Sequence, residues 1–170
     1  MTARGNRQQA IYLDARDRDR YFRLLAQAVR RQRWLCLAYC LMDNHVHLLI
    51  ETPEGGLGRG MQLMHGVYAD FFNKRHGRSG HLFQGRYGAV RIKSEEQMLV
   101  TVRYIALNPV EAQVCADPAQ WPWSSHAALV NGSLPSWLAI DRLLGYFATR
   151  GGDPRARYDE FIAARATKGV

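Results

Sequence analysis

The sequence predicts an α+β fold: a split βαβ core with an antiparallel sheet, followed by a C-terminal helical appendage. Three observations carry this. Apolar periodicity runs helix, strand, strand, helix, strand, helix from about residue 17 to Pro109. Asp43-Asn44 is a turn signal between two adjacent apolar runs, which makes them a hairpin. After Val110 the texture changes to a tryptophan-rich irregular stretch and short helical patterns, dividing the chain into a core of residues 1–115 and an extension of residues 116–170.

The elements follow in order. Residues before Ile11 supply a short first strand, which completes βαββαβ, the ferredoxin-like order. A helical pattern spans about 17–33, with Asp17 as its cap and Tyr21, Leu24, Leu25, Ala28 and Val29 on one face. Its last turn carries Arg30, Arg31 and Arg33, which suit the negative end of the helix dipole. Trp34–Met42 reads as a strand buried on both faces, and His45–Thr52 as its hairpin partner. Pro53 to Gly56 breaks the chain. The next helix spans Leu57 to about His76, with Leu57, Met61, Met64, Val67, Tyr68, Phe71 and Phe72 as its apolar face, and Gly77 stops it. Residues 82–93 read as a strand bent at Gly85 and Gly88. Ser94-Glu95-Glu96-Gln97 is a capping box that opens a helix closed by Pro109. Further helices fit 124–130, 136–148 and 154–166.

Composition narrows the function. The chain has 170 residues, 23 Lys plus Arg against 15 Asp plus Glu, and a net charge of +8. The sequence pI is about 9.8. A small folded protein this basic is a candidate for a polyanion partner, nucleic acid before anionic membrane. No apolar run approaches a membrane span, and Met1–Arg7 has no signal-peptide character, so no membrane partner is expected. Cys36, Cys40 and Cys115 make an odd count without framework spacing, which fits a reducing cytoplasm, and Cys36 and Cys40 in their apolar segment read as buried, inert thiols.

His45 and His47 flank Val46 in the second strand of the hairpin. Alternate side chains of a strand share a face, so both imidazoles project together and can supply two nitrogen ligands to one metal. For a bare His-x-His the commoner fate is a satisfied or exposed pair. The helix after Ser94 has a core face of Met98, Leu99, Val102, Ile105 and Ala106, and a second stripe of Gln97, Thr101, Tyr104 and Asn108. That stripe is either a solvated polar face or a place for a nucleophilic phenol beside an amide ligand. Together the two constellations suggest one use. A divalent cation held by two imidazoles and an amide polarises a phosphodiester, and the tyrosine attacks phosphorus and becomes covalently attached.

These residues carry a family resemblance. Met42-Asp43-Asn44-His45-Val46-His47-Leu48-Leu49 resembles the HUH motif of the single-tyrosine, IS200-like transposases. Gly80–Tyr87 (GHLFQGRY), Arg103–Val110 (RYIALNPV) and Trp121–Ser125 (WPWSS) resemble their REP-associated tyrosine transposase branch. The resemblance runs from about Thr2 to His126. It implies an HUH nuclease fold, transposase activity on single-stranded DNA near hairpins, and cleavage that leaves a 5′-phosphotyrosine and a free 3′-hydroxyl. His45 and His47 correspond to metal ligands and Tyr104 to the nucleophile. Asn108 stands where relatives often carry a Gln ligand, and it is shorter by one methylene. Mg²⁺ or Mn²⁺ is the implied cation, and histidine ligands favour Mn²⁺. The resemblance also implies a fuller first strand than this chain supplies ahead of Thr2, and a bacterial cytoplasmic protein that is nucleoid-associated when bound. It is compatible with a homodimer or a monomer.

DNA-binding residues are expected in three places: Arg4, Asn6 and Arg7 in the early loop; Lys74, Arg75, Arg78 and His81 at a helix end; and Gln84, Arg86, Tyr87, Arg91 and Lys93 beyond it. Interleaved cations and aromatic rings suit a single strand. Two other readings stand beside the strand transferase: a domesticated hairpin-binding protein without catalysis, and a metal phosphodiesterase that uses water. The presence of His45, His47, Tyr104 and Asn108 speaks against the first of these.

Overall fold

The computed structural model describes residues 1–148 and 152–164. Its sheet has three strands, β1 (Thr2–Arg4), β2 (Leu35–Leu41) and β3 (His45–Glu51), in the order β1-β3-β2 with both pairings antiparallel. Thus β3 is central. It faces β1 through Thr2–His47, Ala3–Val46 and Arg4–His45, and β2 through Cys40–His47 and Leu41–Val46.

Two helices, α1 (Ala15–Gln32) and α2 (Leu57–His76), cover one face of the sheet. Val46 and Leu48 enter this layer, where they join Tyr21, Trp34, Tyr68 and Phe72, all essentially inaccessible. The other face is covered by α3 (Glu95–Glu111), α5 (Ile140–Ala148) and α6 (Pro154–Ala163), with the short α4 (Ser125–Val130) beside β2. There Leu37, Ala38, Cys40 and Leu49 of the sheet pack with Val102 and Ile105 of α3, Leu143 of α5 and Ile162 of α6. The extension therefore completes a core layer. Arg103 ties it to α3: its guanidinium donates to the Phe161 carbonyl at 2.7 Å and lies 3.6 Å from the Phe161 ring centroid.

The α+β core stands, and four details differ from the sequence reading. Asp14, not Asp17, caps α1 by accepting from the Asp17 backbone N–H at 3.1 Å. Asp17 is instead fully buried beneath Arg75 and His76. Residues 82–93 form no strand. The segment makes only two isolated bridges, Thr2–Gly88 and Gly5–Phe83, along the outer edge of β1. It still occupies the fourth position of a split βαβ sheet, but a three-residue neighbour and two glycines leave little to pair with. Pro109 does not close α3, which runs on to Glu111. A proline in the last turns removes one backbone bond without forcing a stop. Val67 is 40% exposed rather than part of the α2 core face.

The helix read at 154–166 is α6 up to Ala163, and residues 165–166 lie outside the described residues. Among the described residues, no helix is long and apolar enough to cross a membrane. Cys36 and Cys40 are buried free thiols, and burial pushes the Cys36 thiol up to about 12.

Candidate active site

The site forms where β3 meets α3. Pleating sends His45, His47 and Leu49 toward α3 while Val46 and Leu48 point the other way. On α3, Met98, Val102, Ile105 and Ala106 fix the rotation of the helix by burial. That rotation brings Tyr104 and Asn108, one turn apart, to the rim of the histidine strand.

Four side chains converge. The Tyr104 hydroxyl lies 3.4 Å from His47 Nε2, and the two rings meet edge to face with centroids 5.0 Å apart. His45 Nε2 lies 3.1 Å from Asn108 Oδ1. The imidazoles themselves are 4.9 Å apart between centroids. Asn108 is 7% exposed and His47 6%, His45 is half-buried, and Tyr104 is 41% exposed, so the phenol is the member of the site most open to solvent.

The far nitrogens of both rings are also held. His45 Nδ1 lies 2.7 Å from Asn44 Oδ1, and His47 Nδ1 lies 2.9 Å from Thr2 Oγ1. Burial pushes His47 down to about 3, helped by His45, the amino terminus and Arg4. Burial also lowers His45, against the opposing contact with Asn108. Both rings are therefore neutral at pH 7, and a neutral imidazole has a single N–H. His45 has an oxygen acceptor at each nitrogen, so one of its two contacts sets lone pair against lone pair. A cation held by His45 and Asn108 would relieve that clash. The donor set of two imidazoles and an amide oxygen could hold a divalent ion. Among the described residues, no group of three or more His, Cys, Asp or Glu offers another such site.

His47 and Tyr104 line one part of an open groove of about 1670 Å³ that runs between β3, α3 and residues 88–93. Arg91 and Lys93 line it too. The other expected DNA contacts lie outside it. Arg4 is exposed on β1 opposite His45, and Asn6 and Arg7 sit on the short turn that follows. Arg78, His81, Gln84 and Arg86 are exposed, Arg78 stacking 5.4 Å from the centroid of the Phe72 ring, and Tyr87 is half-buried against the core. Lys74 pairs with Asp70 at 2.8 Å. Arg75 is not a free cation: it bonds Asp14 at 2.6 Å and the buried Asp17 at 2.5 Å. Its place in the sequence beside Lys74 and Arg78 does not disclose carboxylates that lie about 60 residues away, at separations of 61 and 58.

Sequence reasoning passed over Asn44 and Thr2 as partners of the imidazoles. Asn44 reads in the sequence only as half of a turn signal, which says nothing of an imidazole partner. Thr2 carries no signal, because its contact arises only through β1–β3 register.

Residues 2–108 match the family of IS200-like transposases. The fold is similar to the solved structure of a REP-associated tyrosine transposase bound to a REP hairpin, with a TM-score of 0.63, 20% identity and 79% of each chain covered. No curated protein sequence matches the chain.

Proposed function

The chain belongs to the IS200-like transposase family, and from that premise we propose that it is a metal-dependent transposase of single-stranded DNA that cleaves and rejoins strands near hairpins through a 5′-phosphotyrosine. One observation carries this reading: an accessible phenol, two neutral imidazoles and an amide oxygen meet beside a groove lined by Arg91 and Lys93.

His45, His47 and Asn108 would hold Mg²⁺ or Mn²⁺, which when bound supplies positive charge to the non-bridging oxygens of the scissile phosphate. Arg91 and Lys93 neutralise phosphates of the strand in the groove. Arg4, Asn6 and Arg7 contact nucleotides next to His45. Arg78, His81, Gln84, Arg86 and Tyr87 form a second basic and aromatic surface for the hairpin, with Lys74 at its edge. The Tyr104 oxygen attacks phosphorus and loses its proton to solvent. The bond from phosphorus to the 3′-oxygen breaks, and that oxygen takes up a proton. The strand is left joined to Tyr104 through its 5′-phosphate, and attack by a 3′-hydroxyl reverses the step and joins strands.

The test is a covalent adduct. Wild-type protein with Mn²⁺ and a hairpin-flanked oligonucleotide should give a species that survives denaturing electrophoresis, and Tyr104→Phe should give none while still binding the hairpin. An adduct formed by Tyr104→Phe overturns the nucleophile assignment. Cleavage without any adduct points to water as nucleophile, and binding without cleavage leaves a hairpin-binding protein.

A further inference from the structure

The turn at Asn6–Gln8 is strained and closely determined. Arg7 and Gln8 both adopt left-handed backbone, with φ of 52° and 59°. Non-glycine residues in this region are strained and persist only where surrounding contacts fix them. The contacts are present. Gln8 N–H donates to the Gly5 carbonyl at 3.0 Å, and Gly5 N–H donates to the Asn44 carbonyl at 2.8 Å. A Cβ on Gly5 would collide with the Gln9 carbonyl oxygen. This backbone aims the Gln8 carbonyl at the side chain of Asn44, whose Nδ2 donates to it at 3.1 Å.

That contact decides more than a loop geometry. A backbone carbonyl only accepts, so the atom of Asn44 that meets Gln8 must be the amide nitrogen. The Asn44 oxygen is thereby turned toward His45 Nδ1, 2.7 Å away. An amide oxygen also only accepts, and this contact is shorter than the 3.1 Å one between Nε2 and Asn108 Oδ1, so the imidazole proton is placed on Nδ1. Nε2 is left bare and faces Asn108 Oδ1 and the site.

Resting on the functional reading above only for its consequence in cation binding, we propose that Asn44 is a positioning residue that relays the polarity of the Gln8 carbonyl to His45, fixing its proton on Nδ1 and its lone pair on Nε2. The strained turn is the reference point of the relay. Asn6 and Arg7 lie on the same turn, so a nucleotide seated there touches the backbone that sets the histidine.

The experiment reads the tautomer directly, in metal-free protein, from the imidazole ¹⁵N shifts of His45. Wild type is expected as the Nδ1–H form. Asn44→Ala should populate Nε2–H and weaken Mn²⁺ binding by about 10–100-fold, the usual effect of removing an outer partner of a ligating histidine. Asn44→Asp keeps an acceptor on Nδ1 and should keep the Nδ1–H form and Mn²⁺ affinity within about threefold, which a merely structural role for Asn44 would not give. Gln8→Gly retains the carbonyl and should leave the tautomer unchanged, while thermal unfolding confirms that each variant is folded. An Nε2–H tautomer in wild type, or Asn44→Ala with unaltered tautomer and Mn²⁺ affinity, overturns the proposal. If the tautomer shifts as expected but wild type neither binds Mn²⁺ nor forms an adduct, the relay stands and the functional reading fails.

Discussion

Tyr104 on α3 lies 3.4 Å from Nε2 of His47 on β3, so residues 57 positions apart share one candidate site. Two different periodicities meet there. The pleat of β3 decides which face His47 takes, and the helical turn decides which face Tyr104 takes.

Tyr104 is 41% exposed and its hydroxyl makes one long contact. Tyr104→Phe should therefore change stability by less than about 1 kcal/mol, and thermal unfolding checks this. A large loss of stability would mean that the missing adduct of this variant reports unfolding rather than a lost nucleophile.

Asn108 is nearly buried, with its side-chain oxygen turned to His45. Asn108→Ala should weaken Mn²⁺ binding by at least about tenfold, while Asn108→Gln, with the same amide on a longer arm, should retain part of it. Calorimetric titration of Mn²⁺ distinguishes the three proteins. Equal affinities would remove Asn108 from the ligand set.

Arg75 serves the fold. Asp17 is fully buried, and its carboxylate is met by Arg75, by His76 at 3.0 Å and by the Leu13 N–H at 2.9 Å. Arg75→Ala should lower stability measurably by leaving the buried Asp17 carboxylate underpaired. Arg78→Ala, in an exposed position, should leave stability nearly unchanged and lower hairpin affinity in a salt-dependent way. Denaturant unfolding and binding at two salt concentrations separate the two arginines. A stable Arg75→Ala protein with weak DNA binding would reverse the assignment.

Stability should fall as the solution is acidified below the ordinary histidine range. Burial holds His65 down to about 4 and His47 to about 3. In the unfolded chain each takes up a proton near 6.5. Between those values the unfolded state binds more protons than the folded one, so stability rises with pH through this window and levels off above it. Melting temperatures measured with chelator from pH 7 to pH 4 should decline steadily. His65→Phe should flatten the decline. A melting temperature that stays flat over this range would show that the two rings titrate normally in the fold.

Much of this protein was legible in the sequence because the deciding forces are local. Apolar runs on either side of Asp43-Asn44 specify β2, β3 and their turn, and the period of α3 sets Tyr104 and Asn108 apart from its core face. Even the pairing of both imidazoles on one face follows from the twofold repeat of a strand. Tertiary structure decided what depends on distant partners. It left residues 82–93 unpaired as a strand because β1 is three residues long, and it drew Arg75 away from solvent to a carboxylate buried in another helix. It also set the partners of the two imidazoles, since Thr2 reaches His47 through strand register and Gln8 reaches Asn44 through a strained turn. Spacing along the chain fixes which way a side chain points. Only packing fixes what it meets, because a hydrogen bond or ion pair needs a second group within about 3 Å that the chain brings from elsewhere.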